Sequence, residues 1–221
     1  MPAWRPGPAD LPGTIPLFPL PGALLLPRAR IPLLIFEPRY LAMIEDCLKT
    51  PHRLIGMIST RGMPGTVAPD VPPLAAIGCA GRLSEFAETG DGRLMIALAG
   101  ISRFRLREEV AGFTPYRRAQ VDWAPFARDL GPAEDDPGLD RAALLGLLHR
   151  FLDRRGLTAP VEEMQKAQPE QLIDAVSMLA PLAPEDKQAL LEAPDLPTRR
   201  ETLVALMEFD LRGLPPKETR Q

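Results

Sequence analysis

The chain has 221 residues, 45% of them hydrophobic but only 5% aromatic, and a formal net charge of −3. That length can bury one large aliphatic core or two modest ones. Its most apolar stretch, "IPLFPLPGALLLPRARIPLLIFEPRY" (residues 15–40), is broken by Pro16, Pro19, Pro21, Pro27 and Pro32, which excludes the unbroken helix of about 20 residues that a membrane span needs.

The opening "MPAWRPGPADLPG" has no apolar run ahead of its prolines and no small-residue cleavage site, so a secretory leader is not expected. Cys47 and Cys79 lie in apolar surroundings without a CxxC pair. They read as buried, reduced thiols, and the expected setting is cytoplasmic, with no membrane partner. Charge divides the chain. Residues 1–127 carry 14 basic and 11 acidic side chains, a net of +3, and residues 128–221 carry 12 and 18, a net of −6, which together give −3.

The first half is punctuated into strands. Segments 15–19 and 30–36 are joined by a Pro21-Gly22 turn, and a helix enters at Glu37-Pro38, where a first turn tolerates proline. Tyr40, Met43, Ile44, Cys47 and Leu48 then recur at helical spacing. Further strands are predicted over 53–60, 74–87, 93–100, 102–110 and 116–123, with an Asp91-Gly92 hairpin signal. In "SRFRLRE", Ser102, Phe104 and Leu106 share one face and Arg103, Arg105 and Arg107 the other. So many short strands with one helix argue for a closed or nearly closed barrel.

The second half is helical. "DRAALLGLLHRFLDRRG" presents Leu144, Leu147, Leu148, Phe151 and Leu152 and stops at Gly156; "PEQLIDAVSMLA", "PEDKQALLEA" and "DLPTRRETLVALMEFDLRG" follow. The fold class is α+β: a β-rich subdomain over 9–127, a Pro/Gly-rich acidic linker over 128–138 that can hold little core, and about four helices over 139–212.

Catalytic and cofactor motifs are missing. There is no Gly-Lys dipeptide for a P-loop, no G-x-G-x-x-G, G-x-S-x-G or H-E-x-x-H, and only His52 and His149 as imidazoles. No catalytic residue, metal site or cofactor is expected. A Ser177/Lys187 pair is conceivable, but Ser177 lies within the apolar run "AVSMLA" and reads as a packed hydroxyl. The strongest polar feature is the row Arg103, Arg105 and Arg107. It reads either as an anion or nucleic-acid face or as a solvated sheet face balanced by Glu85, Glu88, Glu108 and Glu109. The small net charge of the β half favours the second, so nucleic acid is not the expected partner.

Two side chains stand out as contact candidates. In "AIGCAGRLSEFAE", Ile77, Cys79 and Leu83 mark the buried parity and turn Phe86 outward, unless a bulge at Gly81 returns it to the core. Met63 sits at the tip of the long loop 59–73 and suits a permissive apolar contact.

The quoted segment 15–40, with "IGCAGRLSEF", "DGRLMIALAGISRFRL", "PYRRAQV" and "LAPLAPEDKQALLEAPDLPTRRETLVALM", resembles the substrate-recognition N-terminal domain of the ATP-dependent Lon proteases over residues 13–210. The resemblance implies a PUA-like pseudo-barrel followed by a helical bundle. Pro21, Gly22, Phe36, Glu37, Pro38, Arg39 and Tyr40 match its opening motif and are expected to be structural, with an ion pair holding the helix entry. It also implies a protein-binding role toward apolar or unfolded segments, as an adaptor for a separate protease or chaperone. The ATPase and Ser/Lys protease modules of full-length Lon are not in this sequence, so no enzymatic activity is expected of it.

Overall fold

The computed structural model describes residues 6–61, 72–158 and 164–213. The chain divides into two compact units, residues 1–132 and 133–221. The first holds β1 (Thr14–Pro19), β2 (Arg30–Ile35), α1 (Pro38–Leu48), β3 (Leu54–Ile58), β4 (Ile77–Glu88), β5 (Leu94–Glu109), β6 (Arg118–Asp122) and a 3-10 segment, Ala124–Leu130.

The six strands run β2-β5-β4-β3-β1-β6, and β5 also pairs with β6. That extra pairing closes β5, β4, β3, β1 and β6 into a ring. The closing contacts join distant segments: Thr14 faces Gln120 and Pro16 faces Arg118. Ile15, Leu17, Leu54, Ile58, Ala80, Phe104, Ala119 and Val121 fill the ring. Phe104 is the large side chain at its centre. A Cβ on Gly78 or Gly56 would lie 2.5 or 2.9 Å from the Phe104 Cζ, so glycine is what admits the ring. Trp123 packs on Phe104 edge to face, with centroids 5.9 Å apart.

Segments 93–100 and 102–110 are not two strands but one, β5. Its inner-facing parity switches at a bulge, because Ala80 pairs with Ser102 while Gly81 pairs with Gly100, leaving Ile101 extra. Gly100 permits the join, since a Cβ there would come within 2.0 Å of the Leu26 carbonyl oxygen. β5 therefore serves two structures. Its second half belongs to the ring, and its first half carries β2 on one side and the end of β4 on the other.

Helix α1 buries Tyr40, Met43, Ile44 and Cys47, as its spacing predicts, with Pro38 in its first turn. Glu37 and Arg39 form the ion pair at its entry, 2.7 Å. The Asp91-Gly92 hairpin signal also corresponds to a turn, with Gly92 at φ +81°.

The second unit contains α2 (Arg141–Asp153), α3 (Pro169–Leu179), α4 (Pro184–Glu192) and α5 (Leu196–Gly213). Asp140 caps α2 by accepting from the Ala143 N–H at 2.9 Å. α5 touches each of the other three. Its Arg199 is buried and donates to the Asp174 carboxylate of α3 at 2.8 Å and to the Leu190 carbonyl of α4 at 3.1 Å.

The boundary between the two units, 132/133, falls inside the stretch read as a linker, 128–138, but that stretch is not wholly solvated. Asp129 and Asp136 in it are buried, and each is held by an arginine, Asp129 by Arg103 and Asp136 by Arg200. An acidic, Pro/Gly-rich sequence looks solvated when its cationic partners lie tens of residues away.

Candidate polypeptide-binding surface

The first half of β5, β2 and the end of β4 form a three-stranded extension of the barrel whose register defines two faces. On one, the cross-strand rows are Ile31–Leu98–Leu83, Leu33–Ile96–Phe86 and Ile35–Leu94–Glu88. Leu98, Leu83, Ile96 and Ile35 in these rows are buried. On the other, the rows are Arg30–Ala99–Arg82, Pro32–Ala97–Glu85 and Leu34–Met95–Ala87. This outer face keeps large apolar groups in water: Leu34 is 46% and Met95 54% exposed.

Pro32, Ala87, Met95 and Ala97 line a shallow concavity of about 630 Å³, with Arg30 and Glu85 at its side. Arg30 and Glu85 make an ion pair that crosses the sheet above the alanines of β5. Phe36, just beyond β2, is 62% exposed.

Phe86 is 53% exposed, but not by the expected parity. Leu83 pairs with Leu98 and Glu85 with Ala97, so Ser84 is an extra residue on β4. That bulge returns Phe86 to the face of Leu83 and Leu98. The Ser84 hydroxyl donates to the Ala97 carbonyl at 3.0 Å and occupies an acceptor inside the irregularity. Phe86 is open because it ends its row at the margin of β4. Met63, the other contact candidate, lies outside the described residues.

The arginine row does not form an anion face. Arg103 is buried, and its Nε and Nη2 donate to the two Asp129 carboxylate oxygens at 2.9 and 2.8 Å. Its guanidinium also stacks 4.9 Å from the Phe126 ring centroid. Arg107 pairs with Asp122, and Arg105 is exposed. The acidic partners are therefore Asp129 and Asp122, rather than the glutamates expected to balance the row. Nothing local to "SRFRLRE" signals a carboxylate 26 residues further on.

A second concavity of about 480 Å³ lies beside the matched opening motif, lined by Pro19, Pro21, Pro72, Pro115, Arg39, Tyr40, Thr60, Thr114, Tyr116 and Arg117. Tyr40 packs edge to face on Phe18, with centroids 4.5 Å apart, and the Arg39 guanidinium lies over its ring, 4.5 Å from the centroid. The Tyr116 hydroxyl donates to Asp46 at 2.8 Å. Burial, reinforced by the Asp46 hydrogen bond and charge, pushes Tyr116 up to about 12. Burial also raises Tyr40, and hydrogen bonds from Lys49 and Tyr116 hold Asp46 below the usual carboxylate range. Both phenols stay protonated at neutral pH. The lining combines proline and tyrosine rings with threonine hydroxyls and the guanidiniums of Arg39 and Arg117. In the helical unit Ser177 is buried, with its hydroxyl on the Ile173 carbonyl at 2.7 Å. Among the described residues no His, Cys, Asp or Glu cluster is placed to hold a metal, and no helix is long and apolar enough to cross a membrane.

Sequence reasoning missed Leu34 and Met95 as surface residues and placed Phe36 among structural positions. A signal for Met95 existed: in "RLMIAL" it alternates with Leu94, Ile96 and Leu98, of which Ile96 and Leu98 are core and Leu94 is half-buried.

The model of the ATP-dependent protease La (LON) substrate-binding domain matches residues 14–208. Lon protease 2 of Sorangium cellulosum is 28% identical over 98% of this chain and 27% of its own length. Lon protease 2 of Myxococcus xanthus is 25% identical over 90% of this chain and 24% of its length. The chain thus spans about a quarter of the curated relatives it matches. Among solved structures, a Lon N-terminal domain protein from Xanthomonas campestris superposes with a TM-score of 0.59 at 29% identity, covering 87% of this chain and 97% of that one. The N-terminal domain of a Mycobacterium avium complex Lon protease shares the fold, with a TM-score of 0.63 at 16% identity over 88% and 98% of the two chains. With nearly its whole length matched and both units described, this chain belongs to the LON substrate-binding domain family.

Proposed function

We propose that this chain is a non-catalytic polypeptide-binding module that captures apolar segments of unfolded cytoplasmic proteins and serves as an adaptor for a separate protease or chaperone. The observation that carries the reading is the row Leu34–Met95–Ala87 beside Pro32, with Phe36 and Phe86 nearby in sequence and register. These are large apolar groups that no core requires, gathered on one small sheet. The family's own description, a substrate-binding domain, supports the same reading.

A flexible client loses conformational entropy when held, so affinity should be on the order of micromolar. The test is fluorescence anisotropy of labelled, reduced and carboxymethylated α-lactalbumin titrated with the purified chain. Leu34→Ser with Met95→Ser should weaken binding by about tenfold or more while leaving the melting temperature within a few degrees, because both side chains already contact water. Undiminished binding by that double variant refutes this surface as the site.

A further inference from the structure

We infer that the client is held as an added β-strand, antiparallel to β4 along its free margin, with a basic residue opposite Glu88 and an apolar residue opposite Phe86. This rests on the proposed polypeptide-binding role and specifies its geometry. Hydrogen-bond alternation in the extension fixes which groups face outward. At the hairpin, the Thr89 N–H donates to the Arg93 carbonyl at 2.9 Å, one step beyond the pair Glu88–Leu94. Residues of an antiparallel pair alternate between bonding one another and facing away. Hence Ala87 and Glu85 bond β5, while the N–H and C=O of Phe86 and Glu88 turn away from it.

The other side of β5 gives the same phase. The Gly100 N–H donates to the Ala29 carbonyl at 2.8 Å, so Leu98 and Ile96 bond β2, which leaves Ala97 to bond β4. Leu83 is in phase as well, with its outward N–H donating to the Arg53 carbonyl at 2.9 Å. β3 and its preceding residue therefore occupy this margin as far as Leu83. Past the Ser84 bulge, no strand among the described residues continues it.

The opposite margin of the extension is closed to such use. The same alternation turns Arg30, Pro32 and Leu34 outward on β2, and Pro32 has no N–H to offer. Proline on a free edge is a common protection against strand addition. The β4 margin carries no proline from Ile77 to Glu88, so its unpaired backbone groups select an extended polypeptide as occupant.

Charge selects the direction. Glu85 is taken by Arg30, which leaves Glu88 as the anionic end of the margin and exposed Arg53 as the cationic end. An antiparallel strand enters at Glu88 and leaves toward Arg53. Its residue opposite Glu88 is basic, and the residue two positions later lies against Phe86 beside Ile96. The recognised pattern is basic-x-apolar in an otherwise extended segment.

Fluorescein-labelled peptides test this against the intact chain. Thr-Thr-Lys-Thr-Val-Thr-Thr should bind at least about tenfold more tightly than the same residues with Lys and Val exchanged. N-methylation of the Lys and Val amides, which face β4, should weaken binding at least about tenfold, as loss of hydrogen bonds requires. Methylation of the intervening Thr amide should have little effect. Glu88→Lys should reverse the preference toward a peptide with Glu in place of Lys.

If unfolded α-lactalbumin binds through Leu34 and Met95 but the peptides show no dependence on amide parity, strand addition is overturned and the capture reading stands. If neither ligand binds, both fall. If the chain sediments as a dimer that Glu88→Lys dissociates and peptide does not, the margin belongs to a second copy and the inference is overturned.

Discussion

Replacing Asp129 with alanine decides whether Arg103 belongs to the architecture or to the surface. The Asp129 carboxylate accepts three hydrogen bonds from residue 103: its backbone N–H at 2.9 Å, Nε at 2.9 Å and Nη2 at 2.8 Å. The two side chains are 4% and 2% exposed. Removing the carboxylate strands a guanidinium out of water without that counter-charge and frees a buried backbone donor. Breaking a buried pair from one side costs about 3–5 kcal/mol, whereas an exposed pair contributes about 0–1 kcal/mol. Asp129→Asn retains an acceptor and should lose less. Arg103→Met with Asp129→Leu removes both charges and should recover the share of the loss due to the stranded guanidinium, while the backbone N–H of residue 103 still loses its Asp129 acceptor, at a cost of about 1–3 kcal/mol. Urea titration followed by tryptophan fluorescence reads the relevant unit, since both tryptophans lie in residues 1–132. A loss below about 1 kcal/mol for Asp129→Ala would mean solvent screens the pair, and the architectural role of Arg103 would be refuted.

Replacing Arg105 and Arg107 with Gln should leave client binding and melting nearly unchanged, because the one ion pair assigned to them, Arg107–Asp122, is largely exposed on the arginine side; a tight RNA complex lost on that change and weakened steeply by salt would contradict this. Ultraviolet titration should show both tyrosines ionising above the ordinary phenol value, with the Tyr116 step near 12, since burial raises both. Asp46→Asn should bring one step down toward 10, because the neutral amide no longer repels the phenolate; an unmoved step would disprove the coupling. Phe104→Ser should cost about 3–5 kcal/mol by emptying the barrel centre, whereas Phe86→Ser should melt near the parent chain. Equal losses in calorimetry would place Phe86 in the core.

What was legible in the sequence was what local spacing determines. Tyr40, Met43, Ile44 and Cys47 repeat every three or four residues, and α1 follows from them without outside help. The inner position of Phe104 followed from alternation. The misreadings share one cause, a partner or irregularity that spacing does not encode. Ser84 shifts parity by one residue, and nothing in "RLSEF" marks it as the bulge rather than Gly81. Gly100 looked like a break between strands because glycine often ends one; here it lets β5 pass the Leu26 carbonyl. Arg103 looked solvated because Asp129 lay in a segment that read as linker. The concavity at Tyr40 and Tyr116 unites four distant loops and element ends, so no motif could announce it.

The closure between β1 and β6 sets the order in which this protein can be made. Thr14 has no partner until Gln120 has been synthesised, and at roughly 5–20 residues per second the wait is on the order of ten seconds. Leu17, Phe18 and Pro19 gain their β3 partners once Gly56, Met57 and Ile58 are made, but the start of the strand, Thr14–Pro16, waits for β6. The prolines here then matter for a reason the finished barrel conceals. Pro16, Pro19 and Pro21 lack the amide hydrogen that pairing with a neighbouring nascent chain would use, so the segment that carries the waiting strand end is poorly suited to nucleating a fibril.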